Sequence, residues 1–130
     1  NINIIEILRQ KMGINTQVVK TSQIENLTGN KDERLVRICK HIGATKYLSP
    51  IGSAGYIEMR NPGGKFTQNN IELFYHQYKH PEYQQLYKPF ISHLSIIDLL
   101  FNYGFEESLE IIRNGRRNSI SYRNIKEHIL

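Results

Sequence analysis

Apolar residues fall in short groups along this chain, and their spacing changes from one group to the next. Ile2, Ile4, Ile5, Ile7, Leu8 and Met12 recur at helical intervals and predict a first helix, which Gly13 ends as a left-handed stop. Ile14 to Lys20 alternates and closes on Val18-Val19, the pattern of a short strand. Thr21 to Gly29 is rich in Ser, Thr, Asn and Gly and predicts a loop. Asn30 followed by Glu33 opens a second helix, with Asp32 and Glu33 at the positive end of its dipole. Leu35, Val36, Ile38, Cys39 and Ile42 make one face of that helix, and Gly43 closes it. Thr45 to Leu48 is then a second strand. Strand, helix and strand in this order predict a βαβ unit with parallel strands.

The second half begins with the turn at Asn61-Pro62-Gly63-Gly64-Lys65, followed by a surface loop or a single helical turn to Asn70. Ile71 to Tyr78 alternates apolar with polar and is aromatic and β-branched, so it predicts a third strand, broken by His80-Pro81. Pro81 to Tyr87 predicts a short helical turn ended by Pro89. Ser95 with Asp98 three residues on marks a helix start whose body is Ile96, Ile97, Leu99, Leu100 and Phe101; Gly104 supplies the stop. Leu109, Ile111 and Ile112 carry a further helical run up to Gly115, and Ser119 to Leu130 forms a last amphipathic helix or a flexible tail. The fold class is therefore α/β: a short, mainly parallel three-stranded sheet with a βαβ unit, flanking helices and a helical C-terminal third.

At 130 residues the chain is expected to form a single α/β domain. Its hydrophobic fraction of 39 % is modest and tyrosine outnumbers phenylalanine, a composition suited to a polar groove. No apolar run reaches the roughly 20 residues of a membrane span. The single Cys39 excludes an intrachain disulfide and points to a reducing compartment, hence a cytoplasmic location. The formal charge is +5, with Arg113, Arg116, Arg117, Arg123 and Lys126 gathered near the C-terminus. Such a cluster meets phosphates or simply faces solvent; no helix-turn-helix, zinc or aromatic RNA-binding pattern accompanies it, so nucleic acid is not the expected partner.

Candidate chemistry concentrates in two places. Ser49 to Tyr56 follows the second strand, where open α/β sheets hold ligands, and its Ser49, Ser53 and Tyr56 hydroxyls are substrate-binding candidates. Its glycines match neither a Walker A loop nor a dinucleotide fingerprint. From Tyr78 to Gly104, His80 and His93 are the general acid/base candidates, because imidazole titrates near neutrality. Inert surface histidines are the plainer alternative. Asp98 orients a histidine or serves the helix start; Asn102, four residues on, shares its face. Tyr83 and Tyr87 are stacking candidates that share a face if their turn is helical. His76 and His80, separated by a strand end and a proline, do not make a metal pair, and nothing in the sequence names a cofactor.

Three pieces together resemble the WbqC-like family: KDERLVRICKHIGATKYLSP (Lys31 to Pro50), YKHPEYQQLYKPF (Tyr78 to Phe90) and LSIIDLLFNYG (Leu94 to Gly104). The resemblance runs from about Leu27 to Arg117. Two departures stand out. Pro50 follows Ser49 where the family has Ser-Gly, and the family's N-terminal half, with its Gln-Pro-x-Tyr-x-Pro-Trp segment, has no counterpart here. The resemblance implies the C-terminal portion of a longer protein of bacterial surface-polysaccharide (O-antigen) biosynthesis. It further implies acyl or glycyl transfer to a nucleotide-linked amino sugar. A non-catalytic accessory domain of such a system, or an inactive fragment, is the alternative, and an exposed strand edge would favour a homo-oligomer.

Overall fold

The computed structural model describes residues 1–129, with side chains through Glu127. Leu130, the end of the predicted tail, lies outside the described residues. The elements in chain order are helix α1 (Ile2–Lys11), helix α2 (Lys31–His41), strand β1 (Lys46–Pro50), helices α3 (Ala54–Ile57) and α4 (Gly64–Thr67), strand β2 (Glu72–His76), helix α5 (Ile96–Asn114), strand β3 (Ile120–Ser121) and helix α6 (Lys126–Ile129). The chain divides into two compact units: residues 1–18 with 78–116, and residues 19–77 with 117–130.

The second of these units holds the sheet, in the order β1-β2-β3. β1 and β2 are parallel, with Lys46 opposite Glu72 and Pro50 opposite His76. β3 pairs antiparallel with β2 through Phe74–Ser121 and Tyr75–Ile120. The α/β class and a three-stranded sheet stand as expected, with one parallel and one antiparallel pairing, but the parallel pair is β1 with β2 and not Ile14–Lys20 with Thr45–Leu48. The parallel pair encloses α3 and α4, so the βαβ unit lies one strand further along than the spacing of the first half indicates.

Around the sheet, two segments differ from their expected form. Ile14 to Lys20 is irregular rather than a strand. Its alternation is real, but the sheet takes Ile120–Ser121 as its third strand, and the segment bonds locally instead: the Ile14 amide donates to the Arg9 carbonyl at 2.8 Å, and the Thr16 carbonyl accepts from the Arg9 side chain. Ser119 onward, expected as helix or tail, therefore begins with β3 and a 3-10 turn at Tyr122–Asn124 before α6.

Because β2 is central, its alternation is fully expressed: Ile71, Leu73 and Tyr75 are buried. Around them pack Val36 and Cys39 of α2, Ala54 and Ile57 of α3, Phe66 of α4, Ile120 of β3, and Ile125. Tyr47 stacks on Phe66 with centroids 4.7 Å apart. α2 ends where Gly43 adopts φ +67, the left-handed stop read from the sequence.

The first unit is helical and thinly cored; Met12, Leu99 and Ser108 are buried. α1 runs into Gly13 at φ +66 and contributes no buried residue. α5 starts at Ser95, whose Oγ accepts from the Ile97 amide at 3.3 Å. At Gly104 the backbone leaves the helix (φ 71, ψ −170), so α5 is two helical runs joined at the predicted stop. The Ser108 hydroxyl donates to the Leu99 carbonyl across that break, at 3.3 Å. No helix among the described residues is long and apolar enough to cross a membrane.

Candidate functional site

An aromatic and imidazole cluster forms in the first unit from the Tyr78–His93 segment and the two runs of α5. Tyr78 pairs antiparallel with Arg116, and the Lys79 amide donates to the Gly115 carbonyl at 2.9 Å. A Cβ on Gly115 would lie 2.5 Å from the Tyr78 ring, so glycine is needed for this close approach. The segment is thereby fixed to the C-terminal end of α5, and His80 is carried over its body.

The His80 and His93 rings lie with centroids 4.6 Å apart and planes at 38°. His93 has φ +61, a left-handed conformation uncommon outside glycine, and this turns the chain toward the Ser95 helix start. His80 also contacts Tyr83 (6.4 Å), Phe90 (6.1 Å) and, edge-on, Tyr78 (6.4 Å). Its Nδ1 is 3.0 Å from the Pro81 carbonyl oxygen. A carbonyl only accepts, so Nδ1 carries the proton and the neutral ring keeps its lone pair on Nε2.

Asp98 is spent elsewhere. Its Oδ2 accepts from the Tyr83 hydroxyl at 2.9 Å and from the Gln85 side-chain amide at 3.3 Å. The carboxylate therefore orients Tyr83, which packs on His80, and does not itself bond an imidazole. Burial, with the Asp98 carboxylate alongside, pushes the Tyr83 phenol above its ordinary value, so it remains a donor at neutral pH. Gln85 does more than its place in the sequence suggests. Its amide donates to the Ile91 carbonyl and its carbonyl accepts from the Ile91 amide, both at 2.8 Å, closing the loop between them. The Tyr103 hydroxyl accepts from the Gln84 main-chain amide at 2.9 Å, and its ring meets Tyr83 edge-on at 6.2 Å. Asn102 donates to the Asp98 main-chain carbonyl at 2.7 Å, a contact within the helix.

Beside this cluster lies a cleft of about 180 Å³, with Tyr78, His80, Tyr83, Ser95, Leu99 and Ile112 among its walls. His80, Tyr83, His93 and Asp98 are thus brought together, and Phe90, Gln85 and Tyr103 join them. The last three lie inside the segments singled out in the sequence, but Gln85 has no signature until its partner Ile91 is known. Tyr87 stands apart: residues 81–87 are not helical, it shares no helix face with Tyr83, and it is 80 % exposed. The Gln85–Ile91 clamp instead closes residues 86–89 into a bend.

Ser49, Ser53 and Tyr56 belong to the other unit. Ser49 is buried, with its Oγ 2.5 Å from that of Ser53, and Ser53 donates to the Pro50 carbonyl at 2.7 Å. Their hydroxyls thus stabilise the turn out of β1. Tyr56 is exposed and faces a polar cleft of its own unit. Among the described residues, no group of three or more His, Cys, Asp or Glu is placed to hold a metal ion.

The WbqC-like protein family matches the chain over residues 1–110, reaching further toward the N-terminus than the three pieces quoted above. An uncharacterized protein of Mycobacterium tuberculosis is 33 % identical over 96 residues, which cover 73 % of this chain and 39 % of that protein. The matched region thus spans well under half the length of that relative. No solved structure matches the chain.

Proposed function

The chain belongs to the WbqC-like protein family, and from that membership we propose a role in building or modifying bacterial surface polysaccharide. The reaction we favour is acyl or glycyl transfer to the amino group of a nucleotide-linked sugar. In such a transfer the amine nitrogen attacks the carbonyl carbon of an activated acyl donor. The N–C bond forms, the donor's leaving group departs with its electron pair, and the nitrogen must lose a proton. His80 supplies the base for that proton through Nε2. The observation that carries this assignment is the Pro81 carbonyl 3.0 Å from Nδ1, which holds the ring's own proton on Nδ1 and leaves Nε2 able to accept. Tyr83, held by Asp98, positions the ring. His93, 4.6 Å away, is a second group able to take up the proton.

Calorimetric titration of the chain with UDP-glucosamine tests this reading. Saturable binding is expected, weakened by about tenfold in His80→Ala, the loss of about one hydrogen bond to a charged group. Asp98→Asn should lower affinity less. Absence of saturable binding, or equal binding by all three proteins, would overturn it. A second reading, a non-catalytic accessory or interaction domain, is favoured by the exposure of Leu86 (78 %), Tyr87 (80 %) and Phe101 (89 %). It predicts no response to the nucleotide-sugar.

A further inference from the structure

We propose that the polar cleft of the sheet-bearing unit, beside the Asn61–Lys65 turn, binds a phosphate group of a small phosphorylated ligand. The cleft measures about 320 Å³, and Lys31, Arg60, Lys65, Tyr56 and Gln68 line it with Asp32. That volume falls at the low end of the roughly 300–1,000 Å³ of small-molecule sites, and exceeds what a bare phosphate fills, leaving room for the esterified group.

The charge balance singles out an anion. Asp32 is the acid of the lining, and both its oxygens are already engaged: Oδ1 accepts from the Glu33 amide at 3.0 Å and Oδ2 from the Lys65 amide at 2.9 Å. The ion pairs among the described residues join Arg9 to Glu6, Arg37 to Glu33, Lys46 to Glu72 and Arg113 to Glu110. Lys31, Arg60 and Lys65 are in none of them. Three cations thus line one cleft whose lining holds one carboxylate, itself satisfied by backbone amides; Glu58, behind the turn, is taken up by the Tyr75 hydroxyl and the Gly63 amide. The surplus of cations in the lining matches a phosphate anion. Arg60 offers a planar fork for two of its oxygens, the lysines offer point charges, and the Tyr56 hydroxyl and Gln68 amide offer neutral donors.

The cleft wall is preformed. Gly63 and Gly64 hold φ +73 and +52, which favour glycine, and a Cβ on Gly64 would lie 2.8 Å from Asp32 Oδ2. The Gly63 amide donates to Glu58 Oε2 at 2.8 Å while the Lys65 amide reaches Asp32. Two carboxylates therefore fix the turn from either side before any ligand arrives. Such a fixed wall reduces the ordering cost of binding.

The test is a titration of ¹⁵N-labelled chain with inorganic phosphate and with pyrophosphate at constant ionic strength. Saturable shifts are expected at the amides of residues 60–68, with about tenfold weaker binding in Arg60→Gln with Lys65→Gln. Arg123→Gln with Lys126→Gln, a charge-matched control outside the cleft, should bind as the native chain does. Linear, unsaturated shifts spread over basic residues of the whole chain would overturn the proposal, as would equal binding by the two double variants. Tighter binding of a single-stranded oligonucleotide than of pyrophosphate, lost in both double variants, would also overturn it in favour of diffuse nucleic-acid contact. The substituted side chains are exposed, and unchanged melting temperatures would show that the variants fold. The histidine cluster plays no part in this titration, so its outcome is separate from that of the nucleotide-sugar experiment.

Discussion

Tyr75 is the residue on which the sheet-bearing unit depends most visibly. It is fully buried, and its hydroxyl donates to Glu58 Oε1 at 2.5 Å. Burial and the adjoining Glu58 carboxylate push its phenol far above the ordinary value near 10. In Tyr75→Phe the carboxylate loses that donor but keeps the Gly63 amide, so the cost should be about 1–2 kcal/mol by chemical denaturation at neutral pH. The pH dependence follows from the raised phenol. Its stabilising contribution is complete below the unfolded value, about 10, and is lost as pH rises above it, because the unfolded chain ionises first. The native chain should therefore lose stability above that pH more steeply than Tyr75→Phe. Cys39 behaves in parallel: burial raises its thiol, so an aromatic disulfide reagent should leave it unmodified in the folded chain and react fully after denaturation. That burial was legible in the sequence, because Cys39 falls on the apolar face with Leu35, Val36 and Ile42. The state of His80 was not, since the tautomer depends on a carbonyl whose direction only the folded turn sets.

Among the elements, α5 shows how a local signal becomes architecture. Gly104 interrupts a continuous helical pattern with φ 71 and ψ −170, a combination open to glycine alone. Nothing lies within 4 Å of where a Cβ would stand, so Gly104→Ala would meet strain without a clash. We expect a loss of about 1–3 kcal/mol in the same denaturation assay, entirely from backbone conformation. The stops at Gly13, Gly43 and Gly104 were all readable because each rests on one residue and its immediate neighbours. The same holds for the Ser95 cap. Strand pairing was not readable in this way. Ile14 to Lys20 has a better alternating pattern than Ile120–Ser121, yet the latter is in the sheet, because β2 needs a partner on its free edge and only the fold decides which segment reaches it. The short helical turn expected over Pro81 to Tyr87 is absent for a related reason: the Gln85–Ile91 amide pairing that shapes this loop is made over six residues and has no periodic signature.

For the whole molecule, the uneven distribution of burial sets the expected dynamics. The core of Val36, Phe66, Leu73, Tyr75 and Ile125 belongs to one unit, whereas Met12 and Leu99 are the buried apolar side chains of the other. Hydrogen exchange should therefore protect β2 longest, and release the amides of α1 and of residues 78–90 well before it. Equal protection of α1 and β2 would contradict this ordering. The candidate site lies in the less densely packed unit, where a ligand can still adjust the side chains around it. The most direct measurement on the account is the tautomer of His80, read from long-range ¹H–¹⁵N correlations of the imidazole ring at mildly alkaline pH, with His80→Gln to assign the signals. The structure predicts a neutral ring protonated at Nδ1 with the lone pair on Nε2. A ring protonated at Nε2 would leave no base facing away from Pro81 and would contradict the proposed role of this residue.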